Sequence, residues 1–277
     1  MAPWVWLAGP YALVLFLFLA IPLCNLVVLS LFRYSATSIW TPELTASNYA
    51  RILDGFYIAL TLRSLWIGAI TTALCVVLGY PLAYFLARCS PRALSLGLFL
   101  LVLPLMVSTV IRAFGWIILL GREGAINSLL RALGIGEPLG MLYSEGSVIV
   151  ALVQYVLPLM VLPLMAAIER IPLSLEEAAV NLGSSAATVF RRLIFPLSLP
   201  GLVSGILLSF TVSISVVVTP ALLGGRKVRM FGNEIYDQVV TANNWPFASS
   251  LAVMMILLTF LAIALGLAAG ARAGRRR

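Results

Sequence analysis

Six long apolar stretches constrain this sequence more than any other feature. A helix that crosses a bilayer needs about 20 mainly apolar residues, and stretches of roughly that length recur along the whole chain. They cover 11–33, 59–87, 96–120, 147–168, 198–222 and 248–270. Because a backbone in lipid must satisfy its own hydrogen bonds, the sequence predicts an all-α integral membrane protein with six transmembrane helices.

The composition supports this fold class. Of the 277 residues, 62% are hydrophobic and 10% are charged, whereas a soluble domain is about 45–50% apolar and about 25% charged. No polar stretch is long enough to form a soluble domain, so we expect one transmembrane domain over 1–277, with its core over 59–270. The first apolar stretch lacks a preceding basic region, which favours a retained membrane helix over a cleaved signal peptide.

The residues that are absent or sparse argue against several functions. The sequence has no histidine and three scattered cysteines, so we expect no metal site and no histidine-based catalysis. The net charge of +8 includes four arginines among the last six residues, which favour an anchor beside the membrane over binding to nucleic acid. No G-x-x-x-x-G-K-[ST] motif occurs, so we expect no cofactor and no ATP site in this chain.

One polar segment, 169–198, interrupts the apolar pattern between the fourth and fifth predicted spans. Ser174 and Glu177 have the spacing of a capping box, which predicts the start of a helix. Gly183 can adopt the left-handed conformation that ends a helix. One of the two serines at 184–185 can then cap a second short helix before the fifth span.

The first of these short helices has the character of a docking element. The small side chains of Ala178 and Ala179 permit close approach of another surface, and Leu182 offers an apolar contact. This arrangement predicts a helix that fits a groove on another chain. On these residues alone, an amphipathic helix lying on lipid headgroups is an equally good alternative.

The spacing of the segment resembles the E-A-A-x3-G-x9-I-x-L-P loop of ABC-importer permeases. The corresponding residues are Glu177–Ala179, then Gly183, then Leu193 in place of isoleucine, Phe195 in place of leucine, and Pro196. The resemblance implies the fold of a type I ABC importer permease, with a cytoplasmic coupling helix between the fourth and fifth of six spans.

The same resemblance implies several partners. The coupling helix, 174–183, would dock on a cytoplasmic ABC ATPase dimer, in which ATP and Mg²⁺ bind. A second permease subunit, related but different in sequence, and a periplasmic solute-binding protein would complete the importer. The chain would be a non-enzymatic, multi-pass subunit of a bacterial inner membrane with both termini cytoplasmic. The basic residues, nine on each side, do not decide this orientation by number.

Three further stretches resemble one branch of these permeases. They are 110–130, 219–225 and 244–247, and they are similar to the permeases that import spermidine and putrescine and to their relatives for opines and aminophosphonates. The resemblance implies import of a polyamine, with an opine, an aminophosphonate or another small anionic or zwitterionic solute as the alternative. An ion-driven secondary transporter is disfavoured because no Asp or Glu lies well inside a predicted span.

Four residues are candidates for the translocation path or its gate. Arg112 lies in the third predicted span, where an unpaired charge costs at least about 2.5–3.5 kcal/mol. It could face the path, or it could reach the headgroups or pair structurally. A cation there suits an anionic or zwitterionic solute better than a polyamine. Trp116, Thr219 and Pro220 are assigned to the same path.

The loop before the last span contains the remaining candidates. Glu234 and Asp237 could attract a cationic solute or contact the binding protein, although acids in such a loop are often only solvated. Trp245 could contact the binding protein or stack on an amine, or it could belong to the aromatic belt at the membrane surface.

Overall fold

The computed structural model describes residues 4–134 and 139–275, and the side chains of 13–134 and 139–266. Helices account for most of this part of the chain. In order they are α1 (Trp4–Ser30), α2 (Ser47–Ile52), α3 (Gly55–Arg88), α4 (Pro91–Met106), α5 (Thr109–Leu120), α6 (Ala125–Ala132), α7 (Glu145–Glu169), α8 (Leu173–Asn181), α9 (Ala186–Val189), α10 (Phe195–Ser215), α11 (Phe231–Val240) and α12 (Trp245–Arg275). Two π-helical turns lie at Phe190–Ile194 and Pro220–Gly224.

Five helical segments within the described residues are long and apolar enough to cross a membrane, and a sixth results if one bent pair is counted as a single span. They are Leu13–Ser30, Gly55–Arg88, Glu145–Glu169, Ala186–Ser215 and Trp245–Gly266, with Pro91–Met106 plus Thr109–Ala132 as the bent pair. The prediction of a mainly helical membrane protein is confirmed. The count of six spans stays a prediction.

The third predicted span, 96–120, is wrong as a single helix. Val107 and Ser108 have extended backbones, with ψ of 133° and 134°, and extended residues cannot continue the hydrogen bonding of a helix. The two flanking helical segments therefore meet at 99°. The fifth predicted span, 198–222, is also shifted, because α10 ends at Ser215 where Val216 is extended.

The all-α prediction misses one local feature. Strands β1 (Phe32–Ser35) and β2 (Ile39–Leu44) form an antiparallel hairpin that begins at the end of the first predicted span. The rings of Phe32 and Trp40 stack at 5.2 Å between centroids, which is the kind of cross-strand pair that stabilises a hairpin. The short helix α2 follows the hairpin.

The chain forms two compact units, residues 1–60 with 234–258 and residues 61–233 with 259–277. In the first unit, Tyr57 and Phe247 pack edge to face at 5.1 Å, and the Arg51 guanidinium lies 4.2 Å from the Phe247 ring centroid. The prediction of a single permease domain over 1–277 stays a prediction.

The second unit is built around α7. This helix is about 37 Å long at 1.5 Å per residue, and it contributes buried residues to two separate apolar clusters. Towards its end, Met160 and Leu164 pack with residues of α3, α4 and α10. Towards its start, Val148 and Leu152 pack with residues of α3, α5 and the segment around the second π turn.

α10 lies directly against the backbone of α7. A Cβ atom at Gly201 would come within 2.6 Å of the Pro163 carbonyl oxygen, and one at Gly205 within 2.8 Å of the Met160 carbonyl oxygen. The G-x-x-x-G spacing of the two glycines therefore serves a contact inside this chain, in which small residues let two helix backbones approach.

Gly201→Ala is expected to destabilise the protein by about 1–3 kcal/mol, because the added methyl group overpacks a backbone contact. Gly115→Ala is the matched control, since a Cβ atom at that helical position meets nothing within 4 Å and alanine favours a helix by up to about 1 kcal/mol. Thermal unfolding in detergent measures the difference. Equal melting temperatures for the two variants would contradict the α7–α10 contact.

Candidate functional site

The predicted docking helix is present as α8, but its start differs from the prediction. The residue before the first helical turn is Pro172, with φ −59° and ψ 131°, and no side chain caps this end. Because the helix already begins at Leu173, Ser174 lies inside its first turn. The predicted capping box of Ser174 and Glu177 is therefore wrong.

The end of α8 agrees with the prediction. Gly183 has φ +84°, a left-handed conformation that glycine adopts without steric cost. The Gly183 N–H donates to the Val180 carbonyl at 2.9 Å, and the Ser184 N–H donates to the Ala179 carbonyl at 3.0 Å. This pair of bonds is the Schellman motif, which satisfies carbonyls that the helix end would otherwise leave unbonded.

The outward face of α8 is apolar and exposed. Ala179 is half-buried, whereas Glu177 and Ala178 are exposed, and the Leu182 side chain at the helix end is 87% exposed. The other large exposed apolar residues of this surface are Leu173, Leu175 and Val180. We call these four apolar residues, together with Glu177 and Ala178, the α8 surface.

The second short helix is capped by Ser185, whose side chain accepts a hydrogen bond from the Thr188 N–H. The sequence predicts a separate helix before the fifth span, but this helix continues into that span. The π turn Phe190–Ile194 joins α9 to α10 without a break, so that helical structure runs over Ala186–Ser215. Pro196 is the second residue of α10 and lies directly after the π turn.

A buried ion pair on the inner side of α8 was not predicted. The Glu176 carboxylate accepts hydrogen bonds from the Arg88 Nε at 3.1 Å and from the Tyr84 hydroxyl at 2.9 Å. The Arg88 and Glu176 side chains are 17% and 10% exposed. The only sequence signals were an arginine ending an apolar stretch and two adjacent acids, which do not show which acid faces inward.

Arg112 stabilises the bend in the third predicted span. Its Nη1 donates to the Pro104 carbonyl at 2.8 Å, close to the end of α4, and its guanidinium lies 4.2 Å from the Tyr155 ring centroid. The residue is 8% exposed, and Nη2 is buried with no hydrogen-bond partner among the described residues. These contacts match the alternative in which Arg112 pairs structurally within the chain, because a cation suits the unbonded carbonyls of a helix end.

Trp116 and Arg112 line the same cavity of about 440 Å³. The Trp116 Nε1 donates to the Gln154 Oε1 at 2.7 Å, so both side chains are held in fixed positions on its wall. Thr219 and Pro220 are buried and are not among the described residues that line this cavity. The structure therefore brings together two of the four path candidates.

The three candidates before the last span have different exposures. Glu234 is 4% exposed and accepts a hydrogen bond from Gln238 at 2.8 Å. The Glu234 carboxylate is therefore not on the exposed surface of the described residues, and its role towards the solute or a binding protein stays a prediction. Asp237 is half-buried and Trp245 is exposed, so these two residues remain candidates for such a contact.

The sequence matches a known family over most of its length. A family model described as "Binding-protein-dependent transport system inner membrane component" covers residues 49–274. The chain belongs to this family. It is therefore a multi-pass permease, a transport subunit and not an enzyme.

Curated relatives and solved structures agree with this assignment. The spermidine/putrescine transport system permease protein PotB of Haemophilus influenzae is 35% identical over 252 residues, which are 89% of this permease and 88% of the relative. PotB of Escherichia coli K12 is 36% identical, with 88% and 89% covered. A bacterial alginate ABC transporter, solved with an alginate pentasaccharide-bound periplasmic protein, has a chain with a TM-score of 0.76 at 14% identity, over 95% of this permease and 92% of that chain. This last likeness shows the fold.

Gly183→Val is expected to destabilise the end of α8 by about 1–2 kcal/mol, because a β-branched residue opposes the left-handed backbone. Gly183→Asn is the matched control, since asparagine tolerates this conformation and a Cβ atom here meets nothing within 4 Å. Limited proteolysis across 180–186 would report the difference. Equal cleavage of the two variants would show that the φ value of Gly183 does not matter.

Proposed function

We propose that this permease is a subunit of an ATP-driven ABC importer that moves a polyamine, such as spermidine or putrescine, into the cytoplasm. The observation that carries the proposal is the α8 surface, an exposed apolar helix face ended by the Schellman motif at Gly183. The names of the relatives, spermidine/putrescine permeases of similar length, support the choice of solute.

In this proposal the α8 surface docks in a cleft of a cytoplasmic ABC ATPase dimer. Exposed leucines at 173, 175 and 182 would otherwise stay in water, and burying apolar area is the main source of affinity in helix-in-groove binding. The exposed Glu177 and small Ala178 would lie at the centre of the contact. ATP and Mg²⁺ bind in the ATPase, and this chain holds neither.

The proposed docking implies an orientation in the membrane. If α8 faces the cytoplasm, then Arg88 lies at the cytoplasmic end of α3 and Arg63, in the first turns of the same helix, lies towards the periplasm. With six spans, both termini would be cytoplasmic in a bacterial inner membrane. A periplasmic binding protein would deliver the solute, and Asp237 and Trp245 stay candidates for contact with it. A second permease subunit, related but different in sequence, would complete the path.

Transport in this scheme is a two-state process. Closure of the ATPase dimer on ATP moves α8, and the spans exchange an outward-open path for an inward-open one. Trp116 and Arg112 would line part of that path at the cavity beside α5. Thr219 and Pro220 would act as buried support for its wall.

Proteoliposomes that contain this permease, the second permease and the ATPase, with the binding protein outside, are expected to accumulate labelled spermidine or putrescine only when ATP is enclosed. The reason is that the chain itself has no energy source. An excess of unlabelled polyamine should compete, whereas an aminophosphonate should not. Uptake of the aminophosphonate in place of the polyamine would support the alternative solute, and uptake without any ATPase would support a secondary transporter.

Leu182→Glu is expected to abolish copurification of the ATPase with this permease, because it puts a charge on the most exposed apolar residue of the α8 surface. Leu133→Glu is the matched control, an equally drastic change at another exposed leucine that lies outside α8. Insertion and expression of both variants should be unchanged. Normal recovery of the ATPase with Leu182→Glu would remove α8 as the docking site.

A further inference from the structure

We propose that Arg88 is a positioning residue for coupling, which fastens α8 to the end of α3 through Glu176 so that the two move as one body. The proposal rests on the proposed function, in which α8 receives movement from an ATPase. It adds the route by which that movement reaches the membrane-spanning helices.

α8 has little else to hold it in place. All nine of its residues are within the described part of the chain, and Glu176 is the one among them that is buried. Ala179 gives a partial apolar contact with the small cluster of Ile171, Val189 and Ile194. A helix of two and a half turns with a proline before it and a left-handed glycine after it therefore depends on one polar contact for its orientation.

That polar contact is fully satisfied inside the chain. Both N–H groups of Arg88 that face α8, at Nε and Nη2, donate to Oε1 of Glu176, and the Tyr84 hydroxyl donates to Oε2. The same Nη2 also donates to the Ile171 carbonyl at 2.9 Å, just after α7 ends. Because both carboxylate oxygens are occupied, Glu176 is engaged within this chain, unlike the exposed Glu177 beside it.

The contact points to α3 as the receiving helix. Tyr84 and Arg88 are four residues apart, so they project from one face of its last turns. At the other end of α3, the Arg63 Nε lies 3.4 Å from the Glu145 carboxylate and its Nη1 donates to the Lys227 carbonyl at 3.1 Å. α3 thus connects the fastened end of α8 with the start of α7 and the loop around Lys227.

A purely stabilising role for the ion pair makes a different prediction. Removing one partner of a buried pair leaves an uncompensated charge, whereas removing both charges avoids this penalty. Glu176→Gln should therefore lower the melting temperature, and Arg88→Gln combined with Glu176→Gln should recover most of it. The double variant should still not couple ATP hydrolysis to transport, because glutamine is shorter than arginine and cannot reach from α3 to α8.

The experiment uses the whole importer in proteoliposomes and measures three quantities: melting temperature, ATPase stimulation by the solute-loaded binding protein, and ATP-dependent uptake. For the double variant we expect retained basal ATPase activity and a loss of stimulation of about tenfold or more, whereas Glu176→Gln alone keeps an oxygen that can accept from Arg88 and should lose less. Glu169→Gln is the matched control, the same chemical change at an exposed acid near the end of α7, and should keep full stimulation.

Each outcome decides the proposal. Loss of stimulation in the double variant at a recovered melting temperature supports a positioning role. Recovery of both stability and stimulation in the double variant overturns it while leaving the proposed function intact. If the wild-type complex shows no ATP-dependent uptake, the proposed function fails and this proposal fails with it.

Discussion

The larger unit of this permease depends on the contact between α7 and α10. Helices in lipid gain little from hydrophobic association with one another and rely on close packing. Gly201 and Gly205 allow α10 to approach the carbonyls of Pro163 and Met160, and α7 in turn supplies buried residues to both apolar clusters. The positions of α3, α4 and α5 around α7 follow from that pairing. The packing therefore sets the position at which α7 ends, and α8 begins shortly after that end.

The parts of α8 that the sequence predicts correctly are those fixed by local backbone chemistry. Gly183 ends the helix because few other residues adopt its φ value, and Ser185 caps the next helix with its own hydroxyl. The start was wrong because the residue that precedes the helix is Pro172, two residues before the predicted cap Ser174. The inward acid was missed because neighbouring positions on a helix differ by about 100° in direction, and the sequence does not show where Arg88 lies.

Hydropathy predicts the membrane segments well but does not predict their continuity. The stretch 96–120 is apolar apart from Ser108, Thr109 and Arg112, yet Val107 and Ser108 leave the helical conformation and divide it into helices at 99°. The hairpin Phe32–Leu44 was missed for a related reason, since its strands have only four and six residues and only the first alternates between apolar and polar side chains. In both places the backbone conformation depends on tertiary contacts, such as the guanidinium at the end of α4, that a hydropathy profile does not contain.

The π turn between α9 and α10 has a consequence for the phase of this long helix. A π turn holds one more residue per hydrogen-bonded loop than an α turn, and here the Phe195 N–H reaches back to the Phe190 carbonyl. The wider turn absorbs that residue locally, so the Ser185 end and the Gly201 face keep the relative orientation of a regular α-helix with one residue fewer. Loss of one residue within 190–194 would therefore restore regular α-helical winding with the two ends still in register, whereas loss of one residue elsewhere between them, with the π turn kept, would rotate one end relative to the other by about 100°. The irregular turn thus lets the chain between the segment that carries α8 and the packed face of α10 hold one more residue without rotating either.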